Sequence, residues 1–445
     1  MRSILAGFMA GLAVLPGPVS GAAEAVAEDD LTAAISADMP EWLELYRDLH
    51  AHPELGGEER RTASRLAGLI RSHGFAVTEK VGGTGVVAVL QNGPGPVLMI
   101  RADMDGLPVT ERTGLPFAST VRSHGAEGAE TGVMHACGHD THMAAWLQTA
   151  KLLAARRGGW SGTLVMILQP AEENGAGAKA MIDDGLFTRF PTPSHMLAFH
   201  NSADLPAGVV GYTPGFALAN VDSVDIVVKG TGGHGAFPHA AKDPIILASR
   251  IALTLQTLVS REQNPLDPAV VTVGAFNGGT RHNIIPDQAV LQLTVRSFSD
   301  GTRRRLLDGI ARIARGEAIA TDIADDQMPV VTVRDGFMPA TWNDPGFSEA
   351  MMGLMRARFG ADRVVQQPPA MGGEDFSRYG REIKEAKSMI FLVGGVPTEQ
   401  WQSARTGQVP APSLHSPHWA PDAQAVIATA SEAMTRMALA ILEKP

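Results

Sequence analysis

Within eight residues, His135-Ala136-Cys137-Gly138-His139-Asp140-Thr141-His142, the chain gathers three histidines, an aspartate and its only cysteine. A thiolate and neutral imidazoles are the donors that a borderline-soft divalent cation prefers. One cysteine cannot form an internal disulfide, so metal ligation is a natural use for it. The competing reading is a buried cysteine among histidines that cap helices or face solvent. Other candidate groups sit at strand ends. Asp103 and Asp105 follow the apolar run Val97-Leu98-Met99-Ile100, Glu172 and Glu173 follow Thr163–Leu168, and His200 follows Met196–Phe199. Three apolar strands separated by helical spans, each delivering acids or histidine at its C-terminal end, match the crevice rule of open α/β sheets.

The elements that must position these groups can be read in order. A helix is expected from Asp38 to His50 with Pro40 in its first turn, a second from Glu58 to His73 stopped by Gly74, and a short strand from Val86 to Leu90. An amphipathic helix, Ala144–Arg156, stands behind the cysteine motif. Near Val221 the texture changes. Strands at Val221–Val228, Ala269–Ala275, Ala289–Ser297 and Val330–Arg334 alternate with helices at Pro244–Val259 and Thr302–Thr321. The order βαββαβ is ferredoxin-like and fits a domain inserted over 221–335. Residues 38–220 and 336–445 then form one discontinuous domain. Its second part holds a helix at Asp344–Phe359, a buried strand at Ser388–Val393 and a long last helix, Pro421–Glu443.

The 445 residues are 44% hydrophobic and 19% charged, an ordinary globular balance with ample core. A net charge of −10 without a long basic run argues against nucleic-acid or anionic-membrane partners. Residues 1–23 read as a signal peptide. Arg2 leads, Ile4–Leu15 is an apolar run too short for a membrane span, Pro16-Gly17-Pro18 ends it, and Ser20–Ala23 offers small residues for cleavage. A soluble exported protein is expected, periplasmic in a Gram-negative source and off the membrane once the signal is removed.

Eight motifs now stand in order: Arg-Ala-Asp-Met-Asp from Arg101, His-Ala-Cys-Gly-His-Asp from His135, Gln-Pro-Ala-Glu-Glu from Gln169, Phe199-His200-Asn201, Gly232–His239, Asn283-Ile284-Ile285-Pro286, Met371–Ser377 and Leu414-His415-Ser416-Pro417. From about Trp42 to Leu442 the sequence resembles the hippurate hydrolase and auxin-conjugate amidohydrolase group. That group belongs to the dinuclear metallopeptidase family that also holds aminoacylases and glutamate carboxypeptidases. The resemblance implies a metallopeptidase-type α/β catalytic domain with a mixed central sheet flanked by helices, plus an inserted ferredoxin-like dimerisation or lid domain. It implies two divalent ions on Cys137, His139, Glu173, His200 and His415. Sulfur and nitrogen donors favour zinc, while carboxylate oxygen leaves manganese, cobalt or nickel open.

The same resemblance makes Glu172 the general base and Asp105 the acid that orients a metal ligand. Asp103 stands where the wider family has a metal-binding histidine, so the division of ligands between the ions stays open. His135 and His142 match the motif but are not ligands in the family. His234 corresponds to the oxyanion-steadying histidine, and relatives pair as dimers in which it reaches the partner's metals. Asn283 and Arg296 correspond to residues that grip the substrate carboxylate, and Gly373 to a backbone contact. Gly106 replaces the commoner alanine, and the loop Asn201–Pro206 departs from the shorter, tryptophan-containing version, which leaves the acyl preference open. The reaction implied is hydrolysis of N-acyl amino acids. The alternative is a dipeptidase or carboxypeptidase with the same machinery, and a third reading is a catalytically dead, metal-binding periplasmic receptor.

Overall fold

The computed structural model describes residues 21–124, 128, 130–407 and 412–444. The expected signal peptide lies outside the described residues except for 21–23, which open a helix Gly21–Ala51. This helix starts well before Asp38 and carries Pro40 inside it. The reason is an apolar stripe that continues upstream of the proline. Leu31, Ile35 and Met39 are buried in line with Trp42, Leu45, Tyr46 and Leu49. Burying each such side chain contributes about 1.5–3 kcal/mol. Three of them together offset the roughly 3 kcal/mol that an interior proline costs.

An eight-stranded sheet forms the centre, in the order Ala76–Val81, Gly85–Asn92, Gly162–Gln169, Val97–Asp103, His195–Pro206, Lys387–Val396, Val210–Tyr212, Val364–Gln366. The four middle strands run parallel. Antiparallel pairs flank them, so the sheet is mixed. Both faces are covered, as parallel strands require. One core joins Leu98, Ile100, Leu164 and Leu197 to the helices Gly21–Ala51, His139–Ala155 and Ala423–Ile441. The other buries Met99, Val165 and Ala198 against Met181, Phe376 and Tyr379.

The strand His195–Pro206 outruns the expected Met196–Phe199. Lys387–Val396 pairs with it as far as Pro206, whereas Val97–Asp103 pairs only with 195–198. From Phe199 onward one edge is therefore open, and His200 lies on that open stretch.

A second, four-stranded antiparallel sheet follows the order Ala269–Gly278, Gln288–Ser297, Asn220–Lys229, Val330–Val333. It has its own core, in which Val224, Ile226 and Leu291 meet Leu247 and Ile251 of helix Pro244–Thr257 and Ile310 of helix Asp300–Ala320. Where the chain passes between the two sheets, Gly215–Leu218 and Thr341–Asn343 pair as a short ribbon. Among the described residues no helix is long and apolar enough to cross a membrane.

Candidate metal centre

The cysteine motif is held in place by a glycine. Gly138 has φ +83°, and a Cβ there would lie 2.3 Å from Nδ2 of Asn201. That side-chain amide donates to the carbonyl of Cys137 at 2.5 Å, so only glycine fits both the backbone and the close approach. The helix then begins at His139, earlier than the expected Ala144. Asp140 accepts the Thr141 N–H at 2.8 Å in the first turn, where a carboxylate suits the helix dipole.

A strand end, an open strand edge and a loop bring the remaining donors Glu173, His200 and His415 to this turn. Nδ1–H of His139 donates to the backbone carbonyl of Asp105 at 2.8 Å, which turns Nε2 into the site. Nδ1–H of His200 donates to the Asn201 carbonyl at 2.7 Å and does the same for its Nε2. Sγ of Cys137 lies 3.4 Å from Nε2 of His200 and 3.3 Å from Nε2 of His415. Glu173 places Oε1 3.9 Å from Nε2 of His139 and Oε2 3.5 Å from Nε2 of His415. Asp105 accepts the Glu173 N–H at 3.0 Å, so one acid orients both His139 and Glu173. His415 is held at φ +67°, a region in which a non-glycine residue is strained, and its N–H donates to Ala136 at 2.9 Å.

The donor set fits a cation. Nε2 of His139 and Oε1 of Glu173 are buried without a hydrogen-bond partner among the described residues, which proteins rarely tolerate without an occupant. Cys137, His139 and Glu173 lie within 4.8 Å of one another, and Nε2 of His200 and of His415 lie within 3.4 Å of the same sulfur. Five donors so placed would suffice for two ions with positions left open for water and substrate. Two further acidic clusters have spent their atoms. Asp103 takes Arg101 at 2.6 Å and Nδ1 of His142 at 2.6 Å, while Nε2 of His142 accepts the Asn201 N–H at 2.9 Å. Burial pushes His142 down to about 3, so it is the neutral imidazole that these contacts require. Glu374 and Asp375 are likewise engaged, by Arg101, the Phe376 N–H, Gln169 and the Ala178 N–H.

Protonation follows from the same contacts. Burial, then the charges of Glu173 and Glu172, push the Cys137 thiol well up. Burial pulls His139 down, but Asp103, Asp105 and Glu173 outweigh it and hold the ring protonated to about 10. A cation binds the thiolate and the free imidazole. Loading at pH 7 is therefore expected to release about two protons per chain, one from each residue. Calorimetry in two buffers of different ionisation enthalpy checks this, and a release near zero contradicts it.

Three charged groups behind the site escaped the sequence reading. Arg101 is fully buried and donates to Gln169, Asp103, Glu374 and Asp375. Its charge also reaches Glu172, whose carboxyl is pushed well up by burial and then by Glu374 and Glu173. Its signal was an arginine inside an otherwise apolar strand. Glu59, discussed below, gave no such signal. His50 bridges Asp140 at 2.7 Å and Glu111 at 3.0 Å, and burial pulls its pKa down less than the two carboxylates raise it, to about 10. A folded pKa above the unfolded value of 6.5 means that its contribution to stability is complete below pH 6.5 and is lost as pH rises towards about 10. Replacing His50 with alanine leaves two buried carboxylates uncompensated. It is expected to cost about 3–5 kcal/mol in urea unfolding at pH 6, and a cost under about 1 kcal/mol would contradict the charged clamp.

The donors open on a cavity of ≈ 830 Å³, within the usual size for small-molecule sites. Cys137, Glu172, Glu173, His200 and His415 line it, as do Arg296 and Gly373. The guanidinium of Arg296 donates to the Met371 carbonyl and to Thr294, and no carboxylate among the described residues pairs with it. Gly373 has room for no side chain, since a Cβ would meet Val221 at 2.5 Å. His234 and Asn283 do not line the cavity. They lie together at an exposed two-stranded ladder, where Gly233–His234 pairs with Ile284–Ile285 and the Gly235 N–H donates to the Asn283 carbonyl at 2.8 Å.

The model of peptidase family M20/M25/M40 matches residues 99–407, more than half of the chain. This chain belongs to peptidase family M20/M25/M40. N-acetylcysteine deacetylase of Bacillus subtilis (strain 168) is 35% identical over 406 residues, covering 90% of this chain and 97% of the relative. Hippurate hydrolase of Campylobacter jejuni is 38% identical over 338 residues, covering 76% of this chain and 84% of the relative. Among solved structures, a dinuclear metal-binding M20 peptidase of Bacillus subtilis matches with a TM-score of 0.72 at 31% identity, covering 92% of this chain and 99% of that one. The expected kinship with hippurate hydrolase and the expected α/β class with a mixed sheet both hold for this M20 chain.

Proposed function

We propose that this M20 chain is a metal-dependent amidohydrolase that cleaves the amide bond of N-acyl amino acids. The observation that carries the reading is the joint lining of one cavity by four metal donors, Cys137, Glu173, His200 and His415, with the carboxyl of Glu172 and the guanidinium of Arg296, while His139 completes the donor set beside Cys137 and Glu173. Two divalent ions, zinc or manganese with cobalt or nickel as substitutes, would be held by Cys137, His139, Glu173, His200 and His415. When bound, they supply Lewis acidity to the attacking water and the scissile carbonyl. Glu172 takes the proton of that water and passes it to the departing amine. Arg296 holds the free carboxylate of the amino acid, which a guanidinium fork suits.

The working form is read as a homodimer. His234 and Asn283 stand exposed near apolar side chains that face solvent, Phe237 at 56% and Ile284 at 55%. A partner that covers this face also gives the two polar groups a site to serve. Export to a periplasm is supported by the N-terminal Arg2 and the apolar run that follows.

A panel of N-acetyl and N-benzoyl amino acids and dipeptides, run on metal-loaded protein, tests the reading. N-acyl amino acids are expected to give the higher kcat/KM. The reverse order favours a dipeptidase, and no hydrolysis of either class overturns both. In the same assay Arg296→Ala should raise KM about ten- to a hundred-fold, the equivalent of a lost charged hydrogen bond of about 1.5–3 kcal/mol. An unchanged KM would remove Arg296 from the carboxylate site.

A further inference from the structure

The residue before the Glu172–Glu173 pair has a strained backbone. Ala171 is held at φ +47°, which a non-glycine residue keeps only where its surroundings impose it. Its carbonyl accepts the N–H groups of Ala176 at 3.2 Å and Gly177 at 3.1 Å. Its N–H donates to Oε1 of Glu59 at 2.7 Å. Glu59 is fully buried at the start of helix Arg60–Ser72, and its second oxygen accepts the hydroxyl of Thr84 at 2.5 Å. It does not line the cavity.

The loop that carries Glu59 also grips the neighbouring strand end. The Glu54 carbonyl accepts the N–H of Gly106 at 2.7 Å, and Leu55 bridges to Gly106. Between them Gly56 passes so close that a Cβ would lie 3.1 Å from Cα of Ala171 and 3.2 Å from Oδ2 of Asp105. One loop, which precedes the segment 99–407 matched by the family model, thus ties together the strand end bearing Asp105 and the turn bearing Glu172 and Glu173.

We infer that Glu59 is a positioning residue, which fixes the left-handed turn at Ala171 and so sets where the Glu172 and Glu173 carboxylates point. The inference rests on the roles proposed above for those two residues. Without the Glu59 oxygen, the Ala171 N–H is a buried donor with no acceptor, and the turn relaxes towards ordinary φ. Rotation at one residue swings everything after it. A shift of about 1 Å at reacting groups costs on the order of a hundred-fold in rate.

The test compares Glu59→Gln with Glu59→Leu. Glutamine keeps a carbonyl for Ala171 and presents its amide to the Thr84 hydroxyl, whereas leucine fills similar space and accepts nothing. Three quantities are read: kcat and KM for an N-benzoyl amino acid, the affinity of chelator-stripped protein for Co2+ followed by absorbance, and the thermal midpoint. Glu59→Leu is expected to lose about ten- to a hundred-fold in kcat and in Co2+ affinity, the usual effect of losing a residue that supports a ligand, with KM within about threefold. Glu59→Gln should stay within about threefold of wild type in all of these. Ala171→Gly added to Glu59→Leu should recover most of the loss, because glycine adopts the left-handed turn unaided. Should Glu59→Leu not fold, Glu59→Asp keeps the charge but withdraws the oxygen by one methylene, and it should show the same losses. The inference is overturned if folded Glu59→Leu or Glu59→Asp keeps wild-type kcat and Co2+ affinity, or if Glu59→Gln is as impaired as Glu59→Leu. Glu172→Gln run in parallel separates the two failures. If it is dead while Glu59→Leu is active, only the inference falls; if it is active, the reading of the site falls first.

Discussion

Glu172→Gln is expected to keep its metal and lose about a hundred- to ten-thousand-fold in kcat, the usual cost of removing a general base. Glu172 is buried to 5% exposure at the cavity wall, beside the donors but outside the cluster of Cys137, His139 and Glu173. Glutamine has nearly the same shape and keeps an oxygen, yet it cannot carry a proton from water to the leaving amine. Glu173→Gln should fail differently, by losing metal, because Oε1 of Glu173 is one of the buried atoms that lack a protein partner. Elemental analysis and turnover on the two variants separate the roles. Turnover of Glu172→Gln within about threefold of wild type would rule out the proton transfer drawn here.

The second large effect is expected at His234, which no contact in its own chain brings to the cavity. Loss of an oxyanion donor costs roughly a hundred- to a thousand-fold, so His234→Ala should be nearly inactive alone. Mixing it with Glu172→Ala and allowing subunits to exchange should restore activity. In a mixed dimer one cavity combines the intact Glu172 of the first chain with the intact His234 of the second. If His234 serves its own chain, every cavity in the mixture still lacks one residue. Mixed dimers confirmed by tags that show no recovered hydrolysis would rule out the shared site.

Much of the donor arrangement was legible because apolar runs mark buried strands, and the groups past Ile100 and Leu168 had to reach the open crevice. Cys137 and His139 announced themselves by density within one short motif. What the sequence could not show was long-range. Nothing near Pro40 indicates that Leu31, Ile35 and Met39 will find the faces of two other helices, so the sequence alone places the start of the first helix at Asp38. Arg101 sits in an apolar strand, and its three carboxylate partners come from positions up to 274 residues away. Glu59 stands in a run of surface-like charge, Glu58-Glu59-Arg60-Arg61, and only the fold shows that it is buried against Ala171. The meeting of His234 and Asn283, some fifty residues apart, depends on two-residue strands too short for any periodicity to reveal.

Amide hydrolysis by this M20 chain depends on two divalent ions with Cys137 among their ligands. Chelator-stripped protein, titrated with Zn2+, Mn2+ or Co2+ while ions per chain and hydrolysis of an N-acyl amino acid are followed together, tests it most directly. The account predicts no turnover in the stripped protein, a rise that completes as loading reaches two ions per chain, and loss of both ions and turnover in Cys137→Ser. Turnover of the stripped protein at the untreated rate, or a Cys137→Ser variant with full metal and full turnover, would contradict it.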